Sequence, residues 1–532
     1  MRLLAFAAAM LMIGAPARAQ DSAASRIRAD VEFLASDLLE GRDTGSRGHA
    51  IAADYVASRF RAIGLKPGGT NGSWFLQVPF RRASHAAVPT VALVRGGKRS
   101  PLTSGIDFAL DPSLSEQTRS LDAGLVFVGF GISDPKLGFD DYRGLDVRGK
   151  VVVALAGSPG GIPTEIAAHL RSGKDETAAR YGAAGFIELT RGLSPEGMRR
   201  AATRSRLDWI DPRDKRRRPR ATLSLSPNGA ERLFAGAKRS LVAVRTQAAS
   251  GQAVPGFALP GRLRIASTSQ WQDFTSPEVI GLLPGSDRRL APEHVVLMGH
   301  LDHLPNKTDA KPGEDAIYNG ALDNAAGIAT LLEAARSFTA SGKPPRRSVL
   351  FIANTGEEKG LLGADYFAAY PTVPVKQIVG AVDLDMPVLL YPFTDVIAFG
   401  ADHSTVAETV SAAARSMNVA VAPDPMPHES IFVRSDHYRF VLRGIPAILL
   451  MTGYANGGKA QWERFLATIY HSPKDDLSQP IDWAAGARYG ELNYRIARAL
   501  ADSNERPRWY ANDYFGDRFA PGQPRAQRRL VP

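Results

Sequence analysis

The chain contains no cysteine in its 532 residues. It can therefore form no disulfide and offer no thiolate to a metal, so any metal site must be built from histidine and carboxylate. Beyond its first twenty residues there is no apolar run long enough to span a bilayer. There is no internal repeat. The basic run "RDKRRRPR" (213–220) and the arginine-rich C-terminus lack interleaved aromatics and any recognition motif. They read as solvated loops, and no nucleic-acid partner is expected.

A composition of 44% apolar and 22% charged residues is that of a soluble globular protein, and the length calls for more than one domain. The start, "MRLLAFAAAMLMIGAPARAQ", has a basic Arg2, an apolar stretch from Leu3 to Ile13 and a small-x-small site at Ala17-Arg18-Ala19. This reads as a secretory leader over 1–19, the apolar stretch being too short for an anchor. The expected location is periplasmic or extracellular, with no membrane anchor after cleavage. Of the formal net charge of +11, Arg2 and Arg18 would leave with the leader.

Two helical patterns follow, over 26–39 (Ile27, Val31, Leu34, Leu38) and 49–63, the latter with Gly64 as a C-terminal cap. From about 85 to 265 the chain turns to short β-rich runs with frequent Gly and Pro. From about 275 strand and helix alternate: "HVVLMGH", "DNAAGIATLLEAARSF", "SVLFIAN", "GLLGADYFAAY", "IVGAVDLD", "DVIAFG", "STVAETVSAAARSM", "GIPAILLM" and a closing helix over 484–500. The expected fold class is α/β: a mixed, largely parallel sheet covered by helices on both faces, with an inserted β-rich domain. The expected divisions are 24–110 and 266–505 for the main domain, 111–265 for the insertion, and a Pro/Arg-rich tail over 506–532 without assigned structure.

Functional residues of such sheets gather at the carboxyl ends of strands. His300 and Asp302 stand at one such end, Asp323 before a helix, Glu357 and Glu358 at the next end, Asp383 and Asp385 at another, with Tyr470 and His471 further on. Taken singly, Asp323 is an N-cap, "EE" a helix start and Asp302 or Asp385 a turn residue. Together, two histidines and several carboxylates suit zinc, and less exclusively manganese or cobalt. A carboxylate with two oxygens can join two metals, and of two adjacent glutamates one can face a metal and the other the attacking water.

The motifs "GHLDH", "NGALDNAAG", "GEEKGLLGADYF", "VDLDM", "SDHYRF" and "YHSPKDD", in that order, resemble the co-catalytic zinc exopeptidases that include bacterial leucyl-type aminopeptidases and glutamate carboxypeptidase. "FLASDLLEGRDTGSRGHAIAADYVASRFRAIGLKPGG" resembles that family's N-terminal segment, and "VFVGFGISDPKLGFDDYRGLDVRGKVVVALAG" a protease-associated domain. The resemblance implies the zinc exopeptidase fold and two zinc ions. It implies Asp323 as the bridging ligand, His300 and Asp385 on one ion, and Glu358 and His471 on the other. It further implies Glu357 as general base, Tyr470 on the oxyanion, and Asp302 as the carboxylate that orients His300. Asp436 and His437 are structural or substrate-lining, and His303 is a neighbour without a role. Asp383 stands where the family often has Asn and suits a substrate α-amine.

The implied activity is that of a secreted aminopeptidase on peptide substrates. Open alternatives are a carboxypeptidase on acidic dipeptides, with Arg434 and Arg443 as its cations, a glutaminyl cyclase, or a metal-free binding protein. Oligomeric state is not readable from the sequence.

Overall fold

In the computed structural model, residues 15–190 and 192–528 are described, with side chains from residue 23. The leader expected over 1–19 falls largely outside them. The chain divides into two compact units, one of residues 1–78, 275–426 and 434–532, the other of 79–274 and 427–433.

In the first unit the strand His294–His300 lies between Ser348–Asn354 and Ile378–Asp383, parallel to both. Ala447–Thr452 extends the sheet in parallel beyond Ile378–Asp383. Every residue of these four strands is buried. Both faces are therefore covered, which is why their sequences are continuous apolar runs rather than alternating ones. Antiparallel strands close the two sides: Val279–Leu283 pairs with Ser348–Asn354, and Asp395–Phe399 with Ala447–Thr452. The sheet is thus mixed and largely parallel. Helices Ala15–Leu34, Ala326–Ala340 and Trp483–Asp502 pack on one another, and the latter two on the central strands. Helix His437–Val441 packs on Ile378–Asp383 and Ala447–Thr452.

Register positions the chemistry. His300 is opposite Asn354, and Met298 opposite Asp383. The segments leaving these strands, 301–304, 355–358 and 384–386, therefore emerge side by side at one edge.

Two local expectations are corrected. The helix read over 26–39 ends at Leu34, because Ser36 accepts from the Leu38 N–H and caps a separate turn over Asp37–Arg42. Leu38, counted on the helix's apolar face, is 86% exposed. The tail, left without structure, packs: Trp509, Tyr510 and Phe515 are buried, Trp509 donates to Gly444 O at 3.0 Å, and Tyr514–Phe519 is helical. Three aromatics supply the apolar area that the Pro/Arg-rich composition masks.

The second unit is β-rich. Val151–Leu155 runs parallel to Gly185–Leu189, which runs parallel to Ala221–Leu225. Thr118–Phe127 and Thr90–Arg95 pair antiparallel with residues 257–268. Its basic run is answered locally: Arg213 pairs with Asp211, Arg216 and Arg218 with Asp208 and Asp214, and Arg220 with Glu116.

Candidate metal centre

His300, the last residue of its strand, points Nε2 between two carboxylates, 3.0 Å from Asp385 Oδ1 and 3.2 Å from Asp323 Oδ1. The other oxygen of Asp323 faces a second imidazole, with Oδ2 3.3 Å from His471 Nε2, and Glu358 Oε2 lies 3.1 Å from that same nitrogen. Asp323 thus presents one oxygen to each of two donor sets. Donors sharing one zinc at bonds of about 2.0–2.2 Å lie about 3.3–3.6 Å apart at the tetrahedral angle. The four separations, 3.0–3.3 Å, are at or just below that spacing, so a small outward adjustment would let each set close on an ion, with Asp323 offering an oxygen to both. His300, Asp323 and Asp385 form one potential metal-holding group, and His303, Asp323 and Glu358 another.

The electrostatics agree with a cation site. Burial opposes charge on His300, but Asp385, Glu357 and Asp323 outweigh it and push the imidazole well above its ordinary range. Burial likewise opposes charge on His471, which hydrogen bonds to Asp323 and Glu358 push up to about 10. Against its own burial, Asp323 is held far below the usual carboxylate range by His300, His471 and His303. Glu358 is drawn down to about 2 by His303 and His471, despite burial and the nearby Asp323. These protons occupy positions that a dication would take over.

Glu357 is not in the donor set but beside it. Burial, partly offset by His300, and then Glu358 and Asp385 push its carboxyl well above the ordinary range. The ring of Tyr470 stacks on His471 at 3.8 Å between centroids. Burial, then Asp323, Glu358 and Glu357, raise its hydroxyl, so it stays a donor.

The loops are fixed by groups the sequence reading passed over. Asp475 accepts from Leu322 N and Asp323 N, both at 2.9 Å, and holds the turn that presents Asp323. Burial and the nearby Asp323 push its carboxyl up to about 6. Asn324 donates to Leu384 O at 3.0 Å and accepts from Met386 N at 3.2 Å, latching the Asp323 turn to the Asp385 loop. Gly327 permits this approach, since a Cβ there would meet Asn324 Oδ1 at 2.0 Å and Leu384 O at 2.2 Å. Arg42, 1% exposed, donates to Leu301 O at 3.0 Å, Asn319 O at 2.6 Å and Gly320 O at 3.2 Å, and also to Leu34 O. Its burial draws the guanidinium down to about 10. Arg42 lies in "GRDTG" and Asp475 in "KDD", both within the segments that carry the family resemblance. A buried arginine in the one and a doubly accepting carboxylate in the other were the signals available.

Two expected roles change. Asp302 does not orient His300 through its carboxylate. His300 Nδ1 is 3.0 Å from the Asp302 backbone oxygen, while the carboxylate accepts from Thr44 Oγ1 at 2.9 Å and Glu357 N at 3.2 Å. Asp302 therefore holds the His300 ring through its backbone oxygen and the Glu357 backbone through its carboxylate. Asp383 is fully buried, with Oδ2 accepting from His437 N at 3.0 Å and 2.7 Å from Ser435 Oγ, so it does not meet a substrate amine. Arg443 pairs with Asp365 at 3.6 Å, whereas Arg434 acts electrostatically on Tyr470.

Residues 278–497 match the model of Peptidase family M28. The alkaline phosphatase isozyme conversion protein of Escherichia coli (strain K12) is 33% identical over 98 residues, 18% of this chain and 27% of that protein. The match thus spans about a quarter of that relative. Among solved structures, an aminopeptidase from Aneurinibacillus sp. strain AM-1 is 19% identical, with a TM-score of 0.49 over 91% of this chain and 95% of that one. BSAP, a zinc aminopeptidase from Bacillus subtilis, is 18% identical, with a TM-score of 0.45 over 90% and 95%.

Proposed function

We propose that this chain, whose residues 278–497 carry the Peptidase family M28 pattern, is a two-zinc aminopeptidase releasing N-terminal residues from peptides. The observation that carries the reading is Asp323 presenting one oxygen to His300 and the other to His471, with Asp385 and Glu358 completing the two sets. Zinc held by these five residues would supply a Lewis acid for the scissile carbonyl and lower the pKa of the attacking water. Manganese and cobalt are the substitutes that the same donors accept.

Glu357 takes the proton from that water. Burial, with Glu358 and Asp385, raises its carboxyl and makes it a stronger base than a free glutamate. Asp302 fixes the Glu357 backbone and so the direction from which the base approaches. As the carbonyl becomes tetrahedral, the Tyr470 hydroxyl donates to the developing oxyanion. Glu357 then delivers its proton to the departing amine nitrogen, completing hydrolysis with no net change in the protein.

The leader pattern supports a location outside the cytoplasm, in the periplasm or medium. No helix among the described residues is long and apolar enough to cross a membrane. For the second unit, whose sequence resembles a protease-associated domain, the resemblance implies a role in substrate access or partner contact.

The test is hydrolysis of a panel of aminoacyl-anilides and N-blocked peptides, with and without chelator and added zinc. Chelator-sensitive cleavage confined to free-amine substrates is expected. Release of C-terminal residues from blocked peptides would overturn the aminopeptidase assignment in favour of a carboxypeptidase. Silence across the panel would overturn both.

A further inference from the structure

The motif "GHLDHL" carries two histidines, and only His300 has so far been given work. His303 is fully buried, with Nδ1 2.7 Å from Glu358 Oε1 and 3.9 Å from Asp323 Oδ2. Either it is a further ligand of the ion held by Asp323, Glu358 and His471, or it acts on that ion through Glu358.

Two observations decide between these. The first is distance. His471 Nε2 is almost equidistant from the same two carboxylates, at 3.3 and 3.1 Å, so one ion could sit among the three after a small outward adjustment. His303 meets neither at that spacing, and its 2.7 Å contact is that of an N–H donating to a carboxylate. The second is the far nitrogen. A ligating imidazole donates its other N–H to an acceptor. His300 has such an acceptor in the Asp302 backbone oxygen at 3.0 Å, whereas His303 Nε2 is buried without a hydrogen-bond partner. If Nδ1 bound a metal, Nε2 would be an N–H sealed from any acceptor. If Nδ1 carries the hydrogen, Nε2 is a bare lone pair. A 2.7 Å contact between a ring nitrogen and a carboxylate oxygen needs a hydrogen between them, and the missing acceptor at Nε2 places it on Nδ1.

The ring is also held. His303 N donates to Arg42 O at 3.3 Å, and the imidazole lies so close to Gly320 that a Cβ there would come within 2.7 Å of Cδ2. We propose that His303 is a positioning residue whose Nδ1–H donates to Glu358 Oε1, so that Glu358 turns Oε2 alone toward the ion it shares with Asp323 and His471. The proposal rests on the two-metal reading above. Its consequence is that Glu358 is held to one oxygen and cannot swing to chelate with both, keeping a position on that ion open.

Two variants separate positioning from ligation. His303→Asn places an amide N–H near the site of Nδ1 without an imidazole, and His303→Leu supplies neither donor nor ligand. The readouts are zinc content and zinc affinity by chelator competition, and the absorption spectrum of the cobalt-loaded protein. His303→Leu is expected to bind one of two ions about 10–100-fold more weakly, the loss typical of an outer hydrogen-bonding partner. His303→Asn is expected to hold both ions within roughly threefold of the parent, with the parent's cobalt spectrum. If the Asn variant loses an ion as the Leu variant does, with a changed cobalt spectrum, His303 is a ligand and the proposal fails. It fails equally if both variants bind as the parent does. His303→Gln, whose amide falls near Nε2, stands in if the Leu variant does not fold, with the Leu variant's outcome expected. A parent chain that binds no zinc would sink the two-metal reading itself, an outcome distinct from either.

Discussion

Replacing Glu278 by glutamine should make the protein more stable as pH rises. Glu278 has no exposed surface, and neither carboxyl oxygen has a hydrogen-bond partner. Gly363 packs so tightly beside it that a Cβ there would meet Glu278 Oε1 at 2.8 Å. Burial, then Asp436 and Asp302, push its carboxyl well above the ordinary range. The folded chain therefore keeps the proton over a range in which the unfolded chain has released it. With fewer protons bound in the unfolded state, stability falls with rising pH, by about 1.4 kcal/mol per unit. The fall begins above an unfolded value of about 4.3 and ends once the raised folded value is passed. Glutamine has nearly the same shape and no proton to lose. At pH 5 the two proteins should differ by no more than about 1 kcal/mol, since a neutral acid and an amide are equally unpartnered there. Between pH 6 and 7, with Glu278 still protonated in the folded chain, they should part by about 1.4 kcal/mol, or roughly 2 °C in unfolding midpoint for a unit of this size. Thermal unfolding at half-unit steps from pH 5 to 8, with metal content held constant, measures the divergence. Parallel curves, or a variant losing ground as pH rises, would refute a neutral buried Glu278.

Four further outcomes follow from the centre. Glu357→Gln should keep the zinc content of the parent and lose about 10²–10⁴-fold in kcat; near-normal turnover would remove Glu357 as the base. Tyr470→Phe should fold and bind zinc as the parent does, with kcat reduced about 10–10³-fold and little change in KM. Arg42→Ala leaves the buried carbonyls of Leu301 and Asn319 without this donor and takes one of two donors from Gly320 O, which keeps Ala325 N. It should cost about 4 kcal/mol, and Arg42→Lys should recover less than half, because one ammonium cannot reach acceptors spread across a guanidinium fork. Gly327→Ala should cost about 1–3 kcal/mol and weaken zinc binding measurably in chelator competition, through the Asn324 latch.

The strand ends were readable because fully buried parallel strands are continuous apolar runs, and the polar residue that stops each run marks an edge. His300, Glu357, Glu358 and Asp385 were found this way, and register then brings the edges together without further information. Atom-level direction is another matter. Asp302 lies where it was expected, but its backbone oxygen faces His300 while its carboxylate serves Thr44 and Glu357. Residue spacing cannot distinguish the two ends of one residue. Asp383 is sealed by Ser435 and the backbone of His437, a contact between segments more than fifty residues apart that no local pattern reports. Leu38 fitted a 3.6-residue period, yet Ser36 ended the helix first, a capping choice that outweighed periodicity. The tail misled for the opposite reason, since a few large aromatics bury more area than the surrounding arginines and prolines suggest.

The long reach of the Arg42 and Asp475 contacts bears on how the protein comes into being. Arg42 fastens backbone near residues 301 and 320, and Asp475 fastens the Asp323 turn from a further 152 positions along. Closing such distant loops comes late in folding. A ribosome that has released the first three hundred residues, or the first four hundred, has made no centre, because its anchor at 475 and its imidazole at 471 are still to come. Until position 475 is made, the growing chain lacks the carboxylate that fixes the Asp323 turn.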